Sequence, residues 1–315
     1  MLPKTDMNLS SSISSSIASS STARFAKPRI LIVGCGDVGM RLLPMLVRQF
    51  RVFAATSQSP GSARFSELRA AGATPVYADL DQVHTLWRLA GLAPTVIHLA
   101  PPPQNGNHDP RTKRLAAILP EKTRLVYIST TGVYGDCGGA VFDETRPVNP
   151  INVRAKRRVD AERCLRQWAR RRGGRLSILR VPGIYAEDRL PIERLQKATP
   201  ALIDAEDVYT NHIHAKDLAY LSKLAIYRGT PNRVYHAVDD SALKMGEYFD
   251  LVADHFGLAR PQRLPRKELA LSVSPMLLSF MSESRRLKNQ RIKIELGARL
   301  EFPDVESCLR HLSRN

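Results

Sequence analysis

Residues 30–33, Ile-Leu-Ile-Val, lead directly into Gly-Cys-Gly-Asp-Val-Gly at residues 34–39, and this junction constrains the fold more than any other part of the sequence. The β-branched apolar run predicts a buried strand, and the amphipathic residues after the last glycine predict a helix. In such a turn Gly34 permits the tight bend, Gly36 lets backbone amides approach a pyrophosphate, and Gly39 lets helix and strand pack closely. The helix N-terminus adds partial positive charge. The junction predicts a dinucleotide site; a glycine turn that only serves packing is the alternative.

Strand and helix patterns alternate through the first two thirds of the chain. The predicted strands are 29–33, 51–56, 75–78, 95–99, 124–129 and 176–181. The predicted helices are 38–49, 62–72, 83–90, 110–118 and 153–172. This alternation predicts an α/β fold, a doubly wound parallel sheet of the Rossmann type with a smaller C-terminal substrate domain. Ligands of such sheets bind at the carboxyl ends of the strands.

The residues that follow the second strand bear on the choice of cofactor. Thr56 and Ser57 are followed by no acid until Glu67, whereas an NAD site usually has an acid there for the ribose hydroxyls. Arg64 is placed to pair with a 2′-phosphate. NADP(H) is therefore favoured, and NAD(H) is the alternative. After the third strand, Asp79 can hold the adenine amino group or simply form a turn.

Two further strand ends complete the predicted site. His98 lies inside an apolar run and is expected to be a core histidine; the stiff proline run from Pro101 should cross the mouth of the site. The fifth strand ends in hydroxyl side chains at residues 129–131, which can face cofactor or substrate. The predicted cofactor-binding residues are Gly34, Gly36, Asp37, Val38, Gly39, Thr56, Ser57, Arg64, Asp79, Leu80, Leu99, Ala100 and Pro101.

Charge and cysteine content limit the classes of partner. The net charge is +17, and most of it lies in residues 154–175 and 260–299. No aromatic interleaving or nucleic-acid-binding motif accompanies these segments, so we expect no nucleic-acid partner. No apolar run is long enough to span a membrane. The four scattered cysteines fit a reduced, cytoplasmic protein. The serine-rich residues 1–27 predict a disordered tail, with an organelle transit peptide as the alternative.

Six segments, taken in order, resemble the short-chain dehydrogenase/reductases, specifically the extended NAD(P)-dependent epimerase/dehydratase group. They are GCGDVG at 34–39, VIHLA at 96–100, STTGVYG at 129–135, LRVPGIYA at 179–186, NHIHAKDLA at 211–219 and ELGARLEFPDVESCL at 295–309. The resemblance implies a Rossmann domain at 28–181 plus about 206–239, and a substrate domain at about 182–205 plus 240–315. It also implies that Thr130 holds the substrate oxygen that is oxidised or reduced.

The chain departs from this group at its YxxxK motif, where the tyrosine is the acid/base and the lysine lowers its pKa. Flanking prolines and Glu162 align the two positions with Arg154 and Arg158. Arginine stays protonated and cannot accept a proton. Three explanations remain: an arginine clamp for a substrate phosphate or carboxylate, catalysis by Tyr134, Tyr185 or Lys156, or binding without turnover. An atypical branch of the group also has GxGxxG and often lacks the tyrosine, and the chain is most similar to that branch.

The sequence thus predicts an NADP(H)-dependent oxidoreductase or epimerase that acts on a small polar metabolite, with an anionic metabolite as one option. The alternative function is a non-catalytic NADP(H)-binding sensor or scaffold. Thr130, Arg154, Arg158 and Tyr134 are the candidate catalytic residues. The two histidines at 212 and 214 lack a nearby third ligand, so we expect no metal. A homodimer is an option for this fold class.

Overall fold

The computed structural model describes residues 27–313 and places a parallel sheet at the centre of this part of the chain. The strands are β1 (Arg29–Val33), β2 (Arg51–Thr56), β3 (Thr74–Tyr77), β4 (Thr95–His98), β5 (Arg124–Thr130), β6 (Val141–Phe142), β7 (Arg175–Val181), β8 (Gly183–Tyr185), β9 (Ala201–Leu202), β10 (His212–His214), β11 (Arg233–His236), β12 (Arg263–Leu264) and β13 (Arg286–Leu287). The α-helices are α1 (Asp37–Leu46), α2 (Ala63–Ala70), α3 (Pro110–Ile118), α4 (Val153–Arg172), α5 (Ile192–Gln196), α6 (Ala215–Arg228), α7 (Met245–His255), α8 (Arg266–Ser272), α9 (Pro275–Phe280), α10 (Gln290–Glu295) and α11 (Val305–Leu312). The predicted tail lies outside the described residues, apart from Lys27.

Seven strands form the main sheet in the order β11-β7-β5-β4-β1-β2-β3, and all neighbours are parallel. The strand order reverses between β1 and β4, because the chain first winds outward through β2 and β3 and then returns. This confirms the predicted doubly wound Rossmann-type sheet. The reversal places the loops after β1 and β4 beside each other, where such sheets bind ligands.

Local signals explain most element boundaries. Asn152 begins α4, since its side-chain oxygen accepts the amide hydrogen of Ala155 at 2.9 Å, and Gly173 ends it with a left-handed φ of 62°. Two predicted helices differ from the structure. The segment Val83–Leu89 is a 3-10 helix. Helix α1 ends at Leu46 because the Leu46 carbonyl accepts from residues 49 and 50 as the chain turns toward β2.

Buried apolar side chains form two clusters, one on each face of the sheet, a third away from it, and a small fourth cluster that includes Tyr134 and Phe142. The first includes Leu42 of α1 and Leu221 of α6; the second includes Leu115 of α3 and Leu165 of α4. The third joins residues of α5, α7 and α11. The division into a Rossmann unit and a smaller substrate unit stays a proposal, which this separate third cluster supports. No helix within residues 27–313 is both long and apolar enough to cross a bilayer.

Helix α4 buries charged residues that its apolar pattern does not reveal. Its buried side includes Ala161, Leu165 and Trp168, whereas Cys164 is only half-buried and the charged Glu162 is buried. Glu162 forms an ion pair with Arg180 of β7 at 2.7 Å and accepts the hydroxyl hydrogen of Ser129 at 2.6 Å. The ion pair therefore joins α4 to β7, and the hydrogen bond from Ser129 joins α4 to the end of β5, next to Thr130.

Asp239 is a buried carboxyl group where the main sheet meets the third cluster. One oxygen accepts the amide hydrogen of Ser241 at 3.0 Å, and the Tyr185 hydroxyl lies beside the carboxyl group. Only 3% of Asp239 is exposed, and burial raises its pKa to about 8. The folded protein therefore holds a proton at neutral pH that an unfolded aspartic acid, with a pKa of about 3.9, releases.

We predict that Asp239→Asn changes the pH dependence of stability. Between about pH 4 and pH 8 the folded wild type binds one more proton here than the unfolded chain, so its free energy of unfolding falls as pH rises, by at most about 1.4 kcal/mol per pH unit. Asparagine does not titrate, so the variant lacks this pH-dependent loss of stability. From pH 5 to pH 8 its free energy of unfolding should therefore rise relative to that of the wild type. Urea denaturation at both pH values measures the difference. An equal pH dependence in the two proteins would contradict the assignment.

Candidate functional site

A cleft of about 760 Å³ opens at the carboxyl ends of strands β1 to β4. Ten of the predicted cofactor-binding residues line it: Gly34, Gly36, Asp37, Thr56, Ser57, Arg64, Asp79, Leu80, Ala100 and Pro101. Val38, Gly39 and Leu99 do not line the cleft, although they adjoin residues that do. The structure thus brings together loops from four separate strands, as the predicted fold requires.

The glycine turn after β1 is packed tightly against the end of β4. Gly34 has a φ of +81°, and a Cβ placed there would lie 2.5 Å from the backbone of Ala100. A Cβ on Gly39 would lie 2.8 Å from the Cys35 sulfur and 3.4 Å from Leu99. Gly39 and Leu99 therefore affect the shape of the cleft without lining it, because they set how closely α1 approaches the sheet.

Two arginines reach the cleft, one expected and one missed. Arg64 of α2 donates to the Cys35 carbonyl and pairs with Glu67 at 2.8 Å, so its guanidinium lies over the glycine turn. Arg111 of α3 binds Asp81 through two nitrogens and donates to the Pro101 carbonyl at 3.2 Å. No local sequence signal marks Arg111, because it reaches the cleft from a helix whose position is set by tertiary packing.

Asp37 places a carboxylate at the N-terminus of α1, where an incoming phosphate would be repelled by an unpaired acid. The structure neutralises it with two guanidiniums, Arg41 at 3.0 Å and Arg189 at 2.8 Å. Arg41 also pairs with Asp188 at 2.7 Å. The partial positive charge of the helix terminus therefore remains available to an anion.

Asp79 forms the turn considered for it and also lines the cleft, and its contact with an adenine amino group stays a prediction. Its carboxylate accepts the amide hydrogen of Asp81 at 2.9 Å, which is a turn contact, and the residue also lines the cleft. His98, in contrast, is 1% exposed and contacts Thr112 Oγ1 at 2.9 Å through Nε2. This confirms that His98 is a core residue.

A second cleft of about 880 Å³ meets the first at Pro101. Thr130, Arg154 and Arg158 all line it, so the structure brings three of the four candidate catalytic residues together. Thr130 ends β5, and the two arginines lie one turn apart near the start of α4. The second cleft is where a substrate would meet the reactive end of a dinucleotide bound in the first.

The two arginines are held by polar and aromatic contacts. Arg158 donates through Nη1 to the Tyr127 hydroxyl and to the Ile128 carbonyl, each at 3.0 Å. Arg154 stacks on the Phe280 ring at 4.2 Å and donates to Ser279 Oγ at 3.2 Å. Within residues 27–313, neither guanidinium has a carboxylate within 4.0 Å. The positive charge of both is therefore left for a ligand in the cleft.

The other candidates for proton transfer are not directed at this cleft. The Tyr134 hydroxyl is buried between Arg180 and His236, at 2.6 Å from each partner, and Tyr134 does not line the cleft. Burial raises its pKa to about 12. Lys156 lies exposed on α4. Tyr185 lines the cleft, but its hydroxyl is buried beside Asp239. This placement argues against Tyr134, Lys156 and Tyr185 as proton-transfer residues and leaves the arginine clamp and binding without turnover as the explanations.

Two residues that line the second cleft were not among the predicted site residues. Arg157 is 5% exposed and holds the proline loop, because it donates to the carbonyls of Gln104 at 2.6 Å and Gly106 at 3.0 Å. His212 packs its ring 4.4 Å from that of Tyr248, and burial lowers its pKa to about 4. His212 is therefore neutral near pH 7.

One group of side chains in the described part of the chain has the atom types of a metal site. Ligand atoms of Glu187, His214 and Cys308 lie within 4.8 Å of one another. His214 Nδ1 accepts the amide hydrogen of Lys216 at 3.3 Å, so the ring proton is on Nε2, which faces Glu187 at 3.5 Å. A protonated nitrogen has no lone pair for a metal. The group fits a hydrogen-bonded contact better than a metal site.

The fold matches many solved structures. A functionally unknown conserved protein from Silicibacter pomeroyi is 27% identical, with a TM-score of 0.74 over 91% of this chain and 99% of that one. UDP-glucose 4-epimerase from Thermotoga maritima, solved with UDP-glucose, is 18% identical, with a TM-score of 0.71 and coverages of 91% and 99%. DesIV, a dTDP-glucose 4,6-dehydratase from Streptomyces venezuelae solved with NAD, is 18% identical, with a TM-score of 0.71 and coverages of 91% and 97%.

No curated protein sequence matches the chain significantly. The sequence profile of the NAD dependent epimerase/dehydratase family, however, matches residues 30–244, which is well over half of the chain and includes both clefts' strand ends. The order of strands, the glycine turn and the two joined clefts agree with that match. The chain belongs to the NAD dependent epimerase/dehydratase family.

Proposed function

We propose that this protein is an NADP(H)-dependent oxidoreductase or epimerase that acts on a small anionic metabolite. The first cleft binds the dinucleotide, and the nicotinamide reaches the second cleft past Pro101. The observation that carries the proposal is the pair of joined clefts. One ends at a glycine turn, and the other is lined by Thr130 and by two arginines that have no carboxylate partner among residues 27–313.

The proposed reaction is hydride transfer between the nicotinamide and a carbon of the substrate. Thr130 donates a hydrogen bond to the oxygen on that carbon. Arg154 and Arg158 bind an anionic group of the substrate and fix the orientation of the reacting carbon. Because both arginines stay protonated, positioning and electrostatic stabilisation supply most of the rate, and solvent supplies the proton.

Arg64 supports the preference for NADP(H). Its guanidinium lies at the cleft wall beside Thr56 and Ser57, and the only carboxylate paired with it among the described residues is Glu67. An arginine and neutral hydroxyl groups at this position suit a 2′-phosphate, whereas an acid would suit the free ribose hydroxyls.

Gly36→Ala tests the dinucleotide site. A Cβ at Gly36 meets no atom within 4 Å, so the free variant should be as stable as wild type. That empty space is where a diphosphate would approach the backbone, so NADPH affinity should fall at least about tenfold, or about 1.4 kcal/mol. Calorimetric titration and thermal melting measure the two quantities. Gly34→Ala is the contrasting variant and should lose stability through its positive φ. Unchanged NADPH affinity in Gly36→Ala would contradict the site.

Arg64→Met tests the choice of coenzyme. We expect the dissociation constant for NADPH to rise about tenfold to a hundredfold, the value of a charged hydrogen bond of about 1.5–3 kcal/mol, with little change for NADH. Arg69→Met, in the same helix but outside the cleft, is the matched control. An equal loss of affinity for NADPH and NADH, or tighter binding of NADH than of NADPH by the wild type, would contradict NADP(H) specificity.

Arg154→Met separates an enzyme from a non-catalytic sensor. We expect NADPH affinity and melting temperature close to wild type, and loss of NADPH oxidation with a panel of 2-oxo acids and phosphorylated aldehydes. Arg163→Met, on the same helix but outside the second cleft, is the control and should keep the activity. Turnover that survives Arg154→Met would remove that side chain from the mechanism, and loss of NADPH binding would assign it to the coenzyme site.

A further inference from the structure

The second cleft carries far more positive than negative charge. Six arginines and one carboxylate, Glu283, line it. Glu283 is already occupied, because it accepts from Arg285 at 2.6 Å and from Asn152 at 2.9 Å. Arg189 is paired with Asp37 outside the cleft at 2.8 Å. Most of the remaining guanidinium charge in the cleft therefore lacks an anionic partner within the described part of the chain.

Of the four remaining arginines, Arg157 donates to the Gln104 and Gly106 carbonyls, and the other three come from two separate helices. Arg154 and Arg158 come from α4 and line the cleft together with Thr130. Arg194 comes from α5 and stacks on the Phe249 ring of α7 at 4.0 Å. Phe249 belongs to the third hydrophobic cluster, whereas α4 packs against the sheet. The cleft thus presents guanidinium groups from both of the units that form it.

Arg194 is a half-buried cation that its surroundings do not neutralise. Its single hydrogen bond within residues 27–313 goes from Nη2 to the Pro200 carbonyl at 2.9 Å. The nearest acid that attracts it, Asp207, pairs with Arg263 at 3.7 Å and accepts the amide hydrogen of Gly246 at 2.8 Å. Burial without an ion-pair partner lowers the pKa of Arg194 to about 10. Desolvating a charge in this way is unfavourable unless an anion joins it.

Apolar side chains line the same cleft. They are Ile184, Met245 and Leu277, and Tyr248 adds an aromatic face. A cavity that combines guanidinium groups from two separate helices with apolar walls is complementary to a molecule in which an apolar connection joins two anionic groups. Its volume of about 880 Å³ accommodates a molecule larger than a simple 2-oxo acid.

We propose that the substrate carries two anionic groups, one bound by Arg154 and Arg158 beside the reacting carbon and the other bound by Arg194 of α5. This inference rests on the proposed function, because it assigns the substrate class of the same cleft. The chemical class is a dicarboxylate, or a carboxylate joined to a phosphate, with a short apolar connection. Arg194 is then a specificity-determining residue.

The test uses the full chain saturated with NADP⁺ and a homologous series of dicarboxylates from malonate to adipate, with butyrate as the monoanion. Calorimetric titration gives each affinity. We expect at least one dicarboxylate to bind about tenfold to a hundredfold more tightly than butyrate, the value of one additional charged contact. Arg194→Met should remove this advantage and leave butyrate binding unchanged, whereas Arg154→Met should weaken both ligands.

Arg194→Lys and Arg260→Met serve as the companion variants. Lysine keeps the charge and should retain part of the dicarboxylate advantage, and Arg260 is an exposed arginine paired with Asp254 outside the cleft. Equal affinity for dicarboxylates and butyrate, or a dicarboxylate advantage that survives Arg194→Met, would overturn the proposal. Titration with NADP⁺ in the same samples keeps the two hypotheses apart, because failure to bind the coenzyme contradicts the proposed function and not the role of Arg194.

Discussion

The contact between the turn at Gly34 and the end of β4 at Ala100 is the constraint on which the site depends. A positive φ and a distance of 2.5 Å from a hypothetical Cβ to the Ala100 backbone leave room only for glycine. This contact joins the two loops at the point where the strand order reverses. The first cleft opens there, and the proline segment that follows Ala100 leads into the second cleft. One backbone contact therefore sets the relative position of the two clefts in which we propose that coenzyme and substrate bind.

The arginines of α4 define the chemistry that we propose for the second cleft. By the sequence resemblance, Arg154 and Arg158 lie at the positions where that group has its proton-exchanging tyrosine and its lysine, and arginine cannot accept a proton. The structure places Arg154 and Arg158 in the same cleft as Thr130, whereas Tyr134 contacts Arg180 and His236. In the proposed reaction this cleft orients an anionic substrate for hydride transfer through electrostatic positioning, so the rate should depend strongly on where the substrate's charges lie.

Much of the sheet could be predicted from the sequence, because buried parallel strands such as residues 30–33 and 124–129 have a distinct β-branched composition followed by turn residues. Helix type was less predictable: Val83–Leu89 has an apolar pattern, yet it is a 3-10 helix held to the preceding loop by Thr85, whose hydroxyl bonds both Asp79 and Gln82. The buried ion pair of Glu162 with Arg180 was also hidden, since charged residues on a helix are ordinarily exposed.

The candidate site likewise contains residues that could be predicted from the sequence and residues that could not. Residues that follow strands directly, such as Thr56 and Asp79, could be assigned to the first cleft because the fold alone brings strand ends together. Arg111, Arg157 and Arg194 reach the clefts from helices, and their side chains' directions depend on packing against distant segments. Periodicity gives no information on such contacts. Sequence resemblance aligned Arg154 and Arg158 with a known motif, but the charge of the surrounding cleft emerged only from the structure.

The most direct test of the account is a titration of the wild-type protein with NADPH, followed by nicotinamide fluorescence and thermal melting. We expect saturable binding of NADPH and, at a free concentration of about 100 times the dissociation constant, an increase of about 2.7 kcal/mol in the free energy of unfolding. If neither NADPH nor NADH alters the fluorescence or the melting curve, the cleft at the glycine turn does not bind a pyridine dinucleotide, and the account is wrong.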